Sequence, residues 1–269
     1  MPALLVVCLS LAIKLKLYLY FLIYFASDLH LGSPNHAESL VREQLFVQWL
    51  QKEVAPNATE LYIVGDLFDF WFEYKTVVPR GYVRVLGALA QLRDAGLPIF
   101  FFSGNHDLWM FGYFEKELNI PVSSQPVIKT IGNHNFYIAH GDGLGPGDTG
   151  YKWIKKWLFT NRFCQWLMRV SHPDIAIGLA NFFSTKSRQH NQKKIEQLLS
   201  AESNRLINYA QTTLQTNPHI HFFVFGHQHH PQTTVLSPTC QYINLGDWIT
   251  HFTYAVYNGQ NLQLYTYKP

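Results

Sequence analysis

Short apolar runs, each closed by glycine or a small polar residue, recur along the whole chain. "LYFLIYFAS" (residues 19–27), "ELYIVG" (60–65) and "LPIFFFSG" (97–104) are strand-length and rich in aromatic and β-branched residues, so they predict buried strands. Helical spacing lies between them, near 37–54 and 80–95, the first with Leu40, Val41, Phe46, Val47 and Leu50 as its apolar positions. After residue 120 the runs shorten: "NFYIAHG" (135–141), "HFFVFG" (221–226), "CQYINLG" (240–246), "FTYAVY" (252–257) and "LQLYTY" (262–267). A helical block at about 148–217, broken near Asn161, Pro173 and Ser200, separates two of these strands. The pattern predicts an α/β fold, a sandwich of β-sheets flanked by helices, with a helical insertion.

The N-terminus departs from this pattern. Its apolar stretch from Ala3 to Ile13 is followed by Lys14 and Lys16. Eleven apolar residues fall short of the roughly 20 that span a bilayer, and a signal peptide carries its positive charge before the apolar run. Residues 1–16 therefore read as an appendage to a body at 17–269, with a weak membrane-associating tail as the other reading.

Composition changes little except in charge. The chain is 48% hydrophobic, enough for a large core, and its three cysteines (Cys8, Cys164, Cys240) are too scattered for a disulfide framework or a thiolate metal site. A reducing, cytoplasmic setting fits. Net charge is +3, yet residues 150–200 hold nine Lys and Arg against Asp174 and Glu196, a local +7 that leaves −4 for the rest. That asymmetry points to an anionic ligand or surface met by the insertion.

Chemistry gathers at the strand ends. Successive apolar runs finish in "SDLHLG", "GDLFDFW", "SGNHD", "AHGDG" and "GHQHHP". In an open α/β sheet the C-terminal edges lie side by side, so Asp28, His30, Asp66, Asn105, His140, His227 and His229 can converge. Within "DLH" and "HQH" the side chains are two apart and, on extended chain, point the same way, so each pair could serve one centre. Any one of these motifs alone is a turn of residues that tolerate tight backbone; five in order are a site. His36, His134, His172, His219 and His251 lack that context and read as surface or satisfied histidines, while His190 and His230 stay undecided. Trp49 reads as core, and Trp71 and Phe72 as core or site wall.

Taken together, "DLH", "GDxxD", "GNHD", "HGD" and "GHxH" resemble the signature of the calcineurin-like metallophosphoesterases. "GDLFDFWFEY", "GNHDLWMFGYFEKELNIPV", "HGDGLGPGDTGYK" and "KSRQHNQKK" are similar to the UDP-2,3-diacylglucosamine hydrolases within them, in a Bacteroidetes-like form, from about residue 22 to the end. The resemblance implies hydrolysis of the UDP-2,3-diacylglucosamine pyrophosphate to 2,3-diacylglucosamine 1-phosphate and UMP in lipid A biosynthesis. It implies two divalent ions, one held by Asp28, His30, Asp66 and His229 and the other by Asp66, Asn105, His140 and His227. Oxygen and imidazole donors without thiolate suit Mn²⁺. His106 would stabilise charge or protonate the leaving group, with Asn105 beside it at the phosphate and Asp107 orienting its imidazole. Gammaproteobacterial members carry arginine where this chain has His106, which leaves the role of that position open.

Within the insertion, "YKWIKKWLF", "CQWLMRV" and "IAIGLANFF" join large aromatics to Lys and Arg. They read as a lid over acyl chains with phosphate contacts at its rim, or as an ordinary helical cap. By resemblance, the contacts fall on Lys186, Ser187, Arg188, Asn191 and Lys194. The expected partners are a UDP-linked diacylated glucosamine lipid and, peripherally, the cytoplasmic face of the inner membrane, with no nucleic acid. Two other classes stay open: a phosphodiesterase or phosphatase with a soluble substrate, and a non-catalytic scaffold of the same fold, which would be expected to have lost ligands.

Overall fold

A computed structural model describes residues 21–147, 149–175, 178 and 195–268. The expected appendage, residues 1–16, lies outside them. Eleven strands form two sheets that pack face to face. The first runs β11-β10-β1-β2-β3-β4, from β1 (Leu22–Ala26), β2 (Ala58–Val64), β3 (Ile99–Phe102), β4 (Val122–Ser123), β10 (Thr253–Tyr257) and β11 (Leu262–Thr266). The second runs β5-β6-β7-β9-β8, from β5 (Val127–Ile131), β6 (His134–Ala139), β7 (Phe222–Phe225), β8 (Pro231–Ser237) and β9 (Cys240–Leu245). β1 to β4 are mutually parallel, as are β6, β7 and β9, and antiparallel strands close the remaining edges.

Alternation along each strand builds the layers. Ile23, Phe25, Tyr62, Val64 and Phe102 face inward and meet Phe136, Ile138, Val224, Ile243 and Leu245 of the other sheet. The opposite face of the first sheet, with Tyr24, Leu61, Ile63 and Phe101, is covered by α1 (His36–Trp49), α2 (Val83–Asp94) and the short α3 (Tyr113–Glu117) through Phe46, Trp49, Val85, Leu89 and Phe114. The outer face of the second sheet, with Tyr137, Phe223, Phe225 and Tyr242, packs on Leu206 and Ala210 of α6 (Ile195–Thr216). The result is a helix/sheet/sheet/helix sandwich, the α/β class the sequence predicts. Trp49, Trp71 and Phe72 are all core.

Two features differ from the sequence pattern. On α1, Val41 is 66% exposed, and the buried face instead carries Arg42 and Glu43 beside Phe46 and Trp49. Arg42 donates to the carbonyls of His30 and Ser33, and Glu43 accepts from the first amides of α2 at Arg84 and Val85. Charged residues spent on backbone groups disguise a core-facing helix as a weakly amphipathic one. The block at 148–217 also divides: α4 (Thr149–Ile154), a π-type turn (Lys155–Phe159) and α5 (Arg162–Val170) lead off from the "HGDG" loop, whereas the second half of α6 belongs to the sandwich.

Candidate metal centre

The C-terminal ends of β1, β2, β3, β6, β7 and β9 open at one rim, and the loops leaving them carry the expected ligands. Three clusters form there among the described residues, one of them His30 with Asp69 and His106, and the other two made of expected ligands alone. Asp28, His30 and His229 bring ligand atoms within 4.8 Å of one another, and so do Asp66, His140 and His227. Asp66 Oδ2 lies 3.1 Å from His140 Nε2 and 3.6 Å from His30 Nε2, so a single carboxylate oxygen stands between the clusters. Asn105 follows directly after β3, and the next amide, that of His106, donates to Asp66 Oδ1 at 2.9 Å.

Local backbone explains how short loops crowd so many groups together. Asp28, His30, Asp66, His227 and His229 all sit at positive φ, between 46° and 71°. Five non-glycine residues in a sparsely populated conformation on one rim mark a site whose surroundings enforce it. The extended-chain geometry expected for "DLH" and "HQH" is therefore corrected, since each turn is left-handed: Asp28 and His30 do share one cluster, whereas His227 and His229 point into different ones. Glycine precedes the ligands for lack of space. A Cβ on Gly104 would collide with Asp66 Oδ1, and one on Gly226 with the carboxylate of Asp28.

Hydrogen bonds fix which ring nitrogen faces inward. His140 Nδ1 donates to the Val64 carbonyl at 2.9 Å, His30 Nδ1 faces Asp69 Oδ1 at 3.2 Å, and His229 Nδ1 faces Asp247 Oδ2 at 3.5 Å. Their Nε2 atoms turn toward the centre, where those of His30 and His229 are only 3.1 Å apart. Two lone pairs at that distance repel unless a proton or cation lies between them. Asn105 Oδ1 is buried with no hydrogen-bond partner, and His140 Nε2, also buried, faces the Asp66 carboxylate at 3.1 Å without hydrogen-bond geometry. Such orphaned acceptors are costly without a positive group to face, and the donor set of imidazole, carboxylate and amide fits a borderline or hard divalent cation.

Electrostatics agree. Burial opposes ionisation of Asp66, but the neighbouring His140, His106 and His30 hold its carboxyl well below the usual range. Burial would lower His30, and Asp28, Asp69 and Asp66 outweigh it, lifting the imidazole to about 9. His227 is pushed down to about 4 by burial and by His140. Asp247 falls to about 2: burial opposes this, and the bonds from His229 and from the His251 and Thr250 amides overcome it.

His106 and Asp107 lie beside the clusters in different settings. Asp107 is fully buried and accepts from the amides of Gly104 at 2.7 Å and Leu67 at 2.9 Å, so its carboxylate braces two ligand loops. The resemblance implies that it orients His106; instead its oxygens are taken up by backbone amides. That ring is held by Asp69, whose carbonyl accepts from His106 Nδ1 at 2.8 Å, and its side chain stays 24% exposed. The sequence does not single out Asp69, although it ends "GDxxD", or Asp247. Asp247 follows the run "CQYINLG", the same strand-end signature that picked out the others.

Beyond the rim stands the first part of the insertion. Lys155 and Tyr151 both bond Asp142 Oδ2, at 2.6 and 2.7 Å, anchoring α4 to the loop after His140. Trp153, Trp157, Phe163 and Trp166 are each more than half exposed. Lys186, Ser187, Arg188, Asn191 and Lys194 lie outside the described residues, as does His190. Of the histidines set aside, His36, His172 and His219 are exposed, His134 Nδ1 bonds the Tyr257 hydroxyl at 2.6 Å, and His251 Nδ1 lies 3.3 Å from Asp247 Oδ1. His230 packs its ring 6.2 Å from that of His251.

Comparison with known proteins bears on this rim. The family model described as calcineurin-like phosphoesterase matches residues 21–231. A Porphyromonas gingivalis protein named UDP-2,3-diacylglucosamine hydrolase is 36% identical over 90% of this chain and 96% of its own length. A Proteus mirabilis protein of the same name is 32% identical over 77% of this chain and 81% of its own. Among solved structures, a dimetal phosphatase from Danio rerio overlays 93% of this chain and 99% of its own, at 15% identity and a TM-score of 0.41.

Proposed function

Since the chain belongs to the calcineurin-like phosphoesterase family, we propose that it hydrolyses the pyrophosphate of UDP-2,3-diacylglucosamine to 2,3-diacylglucosamine 1-phosphate and UMP, a step of lipid A biosynthesis. The identity of the substrate is supported by relatives of that name aligned over nearly their whole length. The observation that carries the chemistry is the position of Asp66 Oδ2 between two ligand clusters.

In this reading Asp28, His30, Asp66 and His229 hold one ion, and Asp66, Asn105, His140 and His227 the other. Mn²⁺ suits the donors. When bound, two such ions neutralise charge on the phosphoryl oxygens and activate the attacking water. The chain's own groups do the rest. Asp66 keeps the ions in register, and Asp107 fixes the loops of Asp66 and Asn105 through their backbone. His106 carries a proton on Nδ1, bonded to the Asp69 carbonyl, so its other nitrogen is the one that can face a departing phosphate. There it stabilises charge or, when protonated, donates the proton.

The exposed Trp153, Trp157 and Trp166, set among lysines and arginines, support a lid for the lipid half of the substrate and peripheral contact with the inner membrane's cytoplasmic face. Lys186, Ser187, Arg188, Asn191 and Lys194 are the proposed substrate contacts. No helix among the described residues is long and apolar enough to cross a membrane. The test is turnover of purified, Mn²⁺-loaded protein on the UDP-lipid beside bis-p-nitrophenyl phosphate. Release of UMP and the lipid 1-phosphate is expected. Turnover of the small diester alone would keep the reaction class and exclude the lipid substrate.

A further inference from the structure

One buried carboxylate near the rim has no part in the scheme above. Asp247 follows β9 and is 4% exposed. Its Oδ1 accepts from the amides of Ile249, Thr250 and His251 at 3.2, 2.8 and 2.9 Å, closing a tight turn, and also lies near His251 Nδ1. The other oxygen, Oδ2, faces His229 Nδ1 at 3.5 Å. In the same turn the Trp248 amide donates to the Asp28 carbonyl at 3.1 Å. Two members of one ligand cluster, Asp28 and His229, thus rest on a single turn that is itself shaped by Asp247.

We propose that Asp247 is a positioning residue for the metal centre: its carboxylate holds the proton of His229 on Nδ1, which leaves Nε2 bare and aimed at the cation shared with Asp28 and His30. The carboxylate can only accept in this setting, so the nitrogen facing it must donate. A neutral imidazole has one N–H, and assigning it to Nδ1 assigns the lone pair to Nε2. His229 Nε2 indeed points inward, 3.5 Å from Asp28 Oδ1 and 3.1 Å from His30 Nε2. His30 has the same arrangement with Asp69, so each imidazole of the cluster is backed by a carboxylate. A turn cap alone would need only Oδ1. The second oxygen, directed at a ligand, is what separates positioning from capping.

The inference rests on the two-metal reading, and Asp247→Asn tests it apart from that reading. Asparagine keeps an oxygen for the three amides and so preserves the turn, but it presents an NH₂ group to His229. The ring must then accept at Nδ1 and carry its proton on Nε2, where it cannot bind a metal; the reversal of tautomer by Asp to Asn is known from the serine protease triad. The expected result is a protein that still melts cooperatively in EDTA, above Asp247→Ala, and has one Mn²⁺ site weakened by about 10–100-fold in calorimetric titration, the second site staying close to wild type. In the Zn²⁺-loaded form, imidazole ¹⁵N spectra should show Nδ1–H at His229 in wild type only. Asp247→Ala should weaken the same site and also lower the melting temperature, since the turn loses its cap. Wild-type protein that binds fewer than two ions would end the two-metal reading itself. Wild-type protein that binds two, with Asp247→Asn matching it in affinity and tautomer, would overturn the positioning role and leave Asp247 a turn cap.

Discussion

Trp109 donates its indole N–H to the carbonyl of Phe159 at 2.7 Å, and the two rings meet edge to face. Trp109 stands three residues beyond His106, and Phe159 ends the turn between α4 and α5. The loop that carries the proposed acid is therefore tied to the insertion. Arg169 over the ring of Phe111 adds a second tie, with its guanidinium carbon 5.1 Å from the ring centroid.

Trp109→Phe keeps most of the apolar contact and removes the hydrogen bond, at a cost of about 0.5–1.5 kcal/mol. If the insertion holds the lipid half of the substrate, KM for the UDP-lipid should rise several-fold while bis-p-nitrophenyl phosphate is turned over as before. Equal losses on both substrates would show that the tie serves the His106 loop and not the insertion.

Among the described residues Asp66 is the one proposed to serve both clusters, so its loss should be felt by both ions. Asp66→Ala should remove most activity and lower the metal content from two ions per chain toward none, as atomic emission of the purified protein would show. His229→Ala should chiefly affect one ion. An Asp66→Ala protein that retains two ions and near-normal kcat would rule out the bridging arrangement.

Much of this site could be read from the residues. Apolar runs ending in glycine and then Asp, Asn or His mark the residues that meet at the rim, because parallel strands deliver their ends to one edge. What stayed hidden depended on backbone direction. Nothing in "HQH" shows that both histidines are left-handed and serve different clusters, and Asp69 holds His106 through its carbonyl, a group every residue has. Arg42 and Glu43 were lost in another way: their charge is spent on buried backbone groups, so a hydropathy pattern assigns them to the surface. The edge strands β5 and β8 are half exposed and alternate too weakly to stand out.

Metal-free protein should show a pH optimum of stability that the ions remove. His30 is raised from 6.5 to about 9 in the folded state, so its contribution is complete below pH 6.5 and is lost as pH climbs through 9. His227 is lowered from 6.5 to about 4, which makes stability rise with pH over that interval. The EDTA-treated protein should therefore melt highest near pH 6.5 and progressively lower toward pH 9. Saturating Mn²⁺ replaces the His30 proton, so it should raise the melting temperature more at the alkaline end. A metal-independent profile, flat above neutrality, would mean that His30 does not exchange a proton for a cation.

The last prediction concerns which phosphorus is attacked. In-line displacement requires that the leaving group stand opposite the incoming water, and a UDP-sugar offers two phosphorus atoms as targets. In the proposed reaction water attacks the phosphorus nearest uridine and expels the lipid 1-phosphate, whose departure the free nitrogen of His106 can assist. Hydrolysis in ¹⁸O-labelled water should then place the label in UMP and leave the lipid phosphate unlabelled, which mass spectrometry of both products resolves. With His106 as proton donor the rate should fall as rising pH deprotonates it, and His106→Arg should keep the regiochemistry while removing that fall, since arginine stabilises charge but has no proton to give near neutrality. Label in the lipid phosphate would mean that the substrate lies reversed across the rim. The roles proposed for His106 and for the basic segment around Lys186 and Arg188 would then have to be withdrawn.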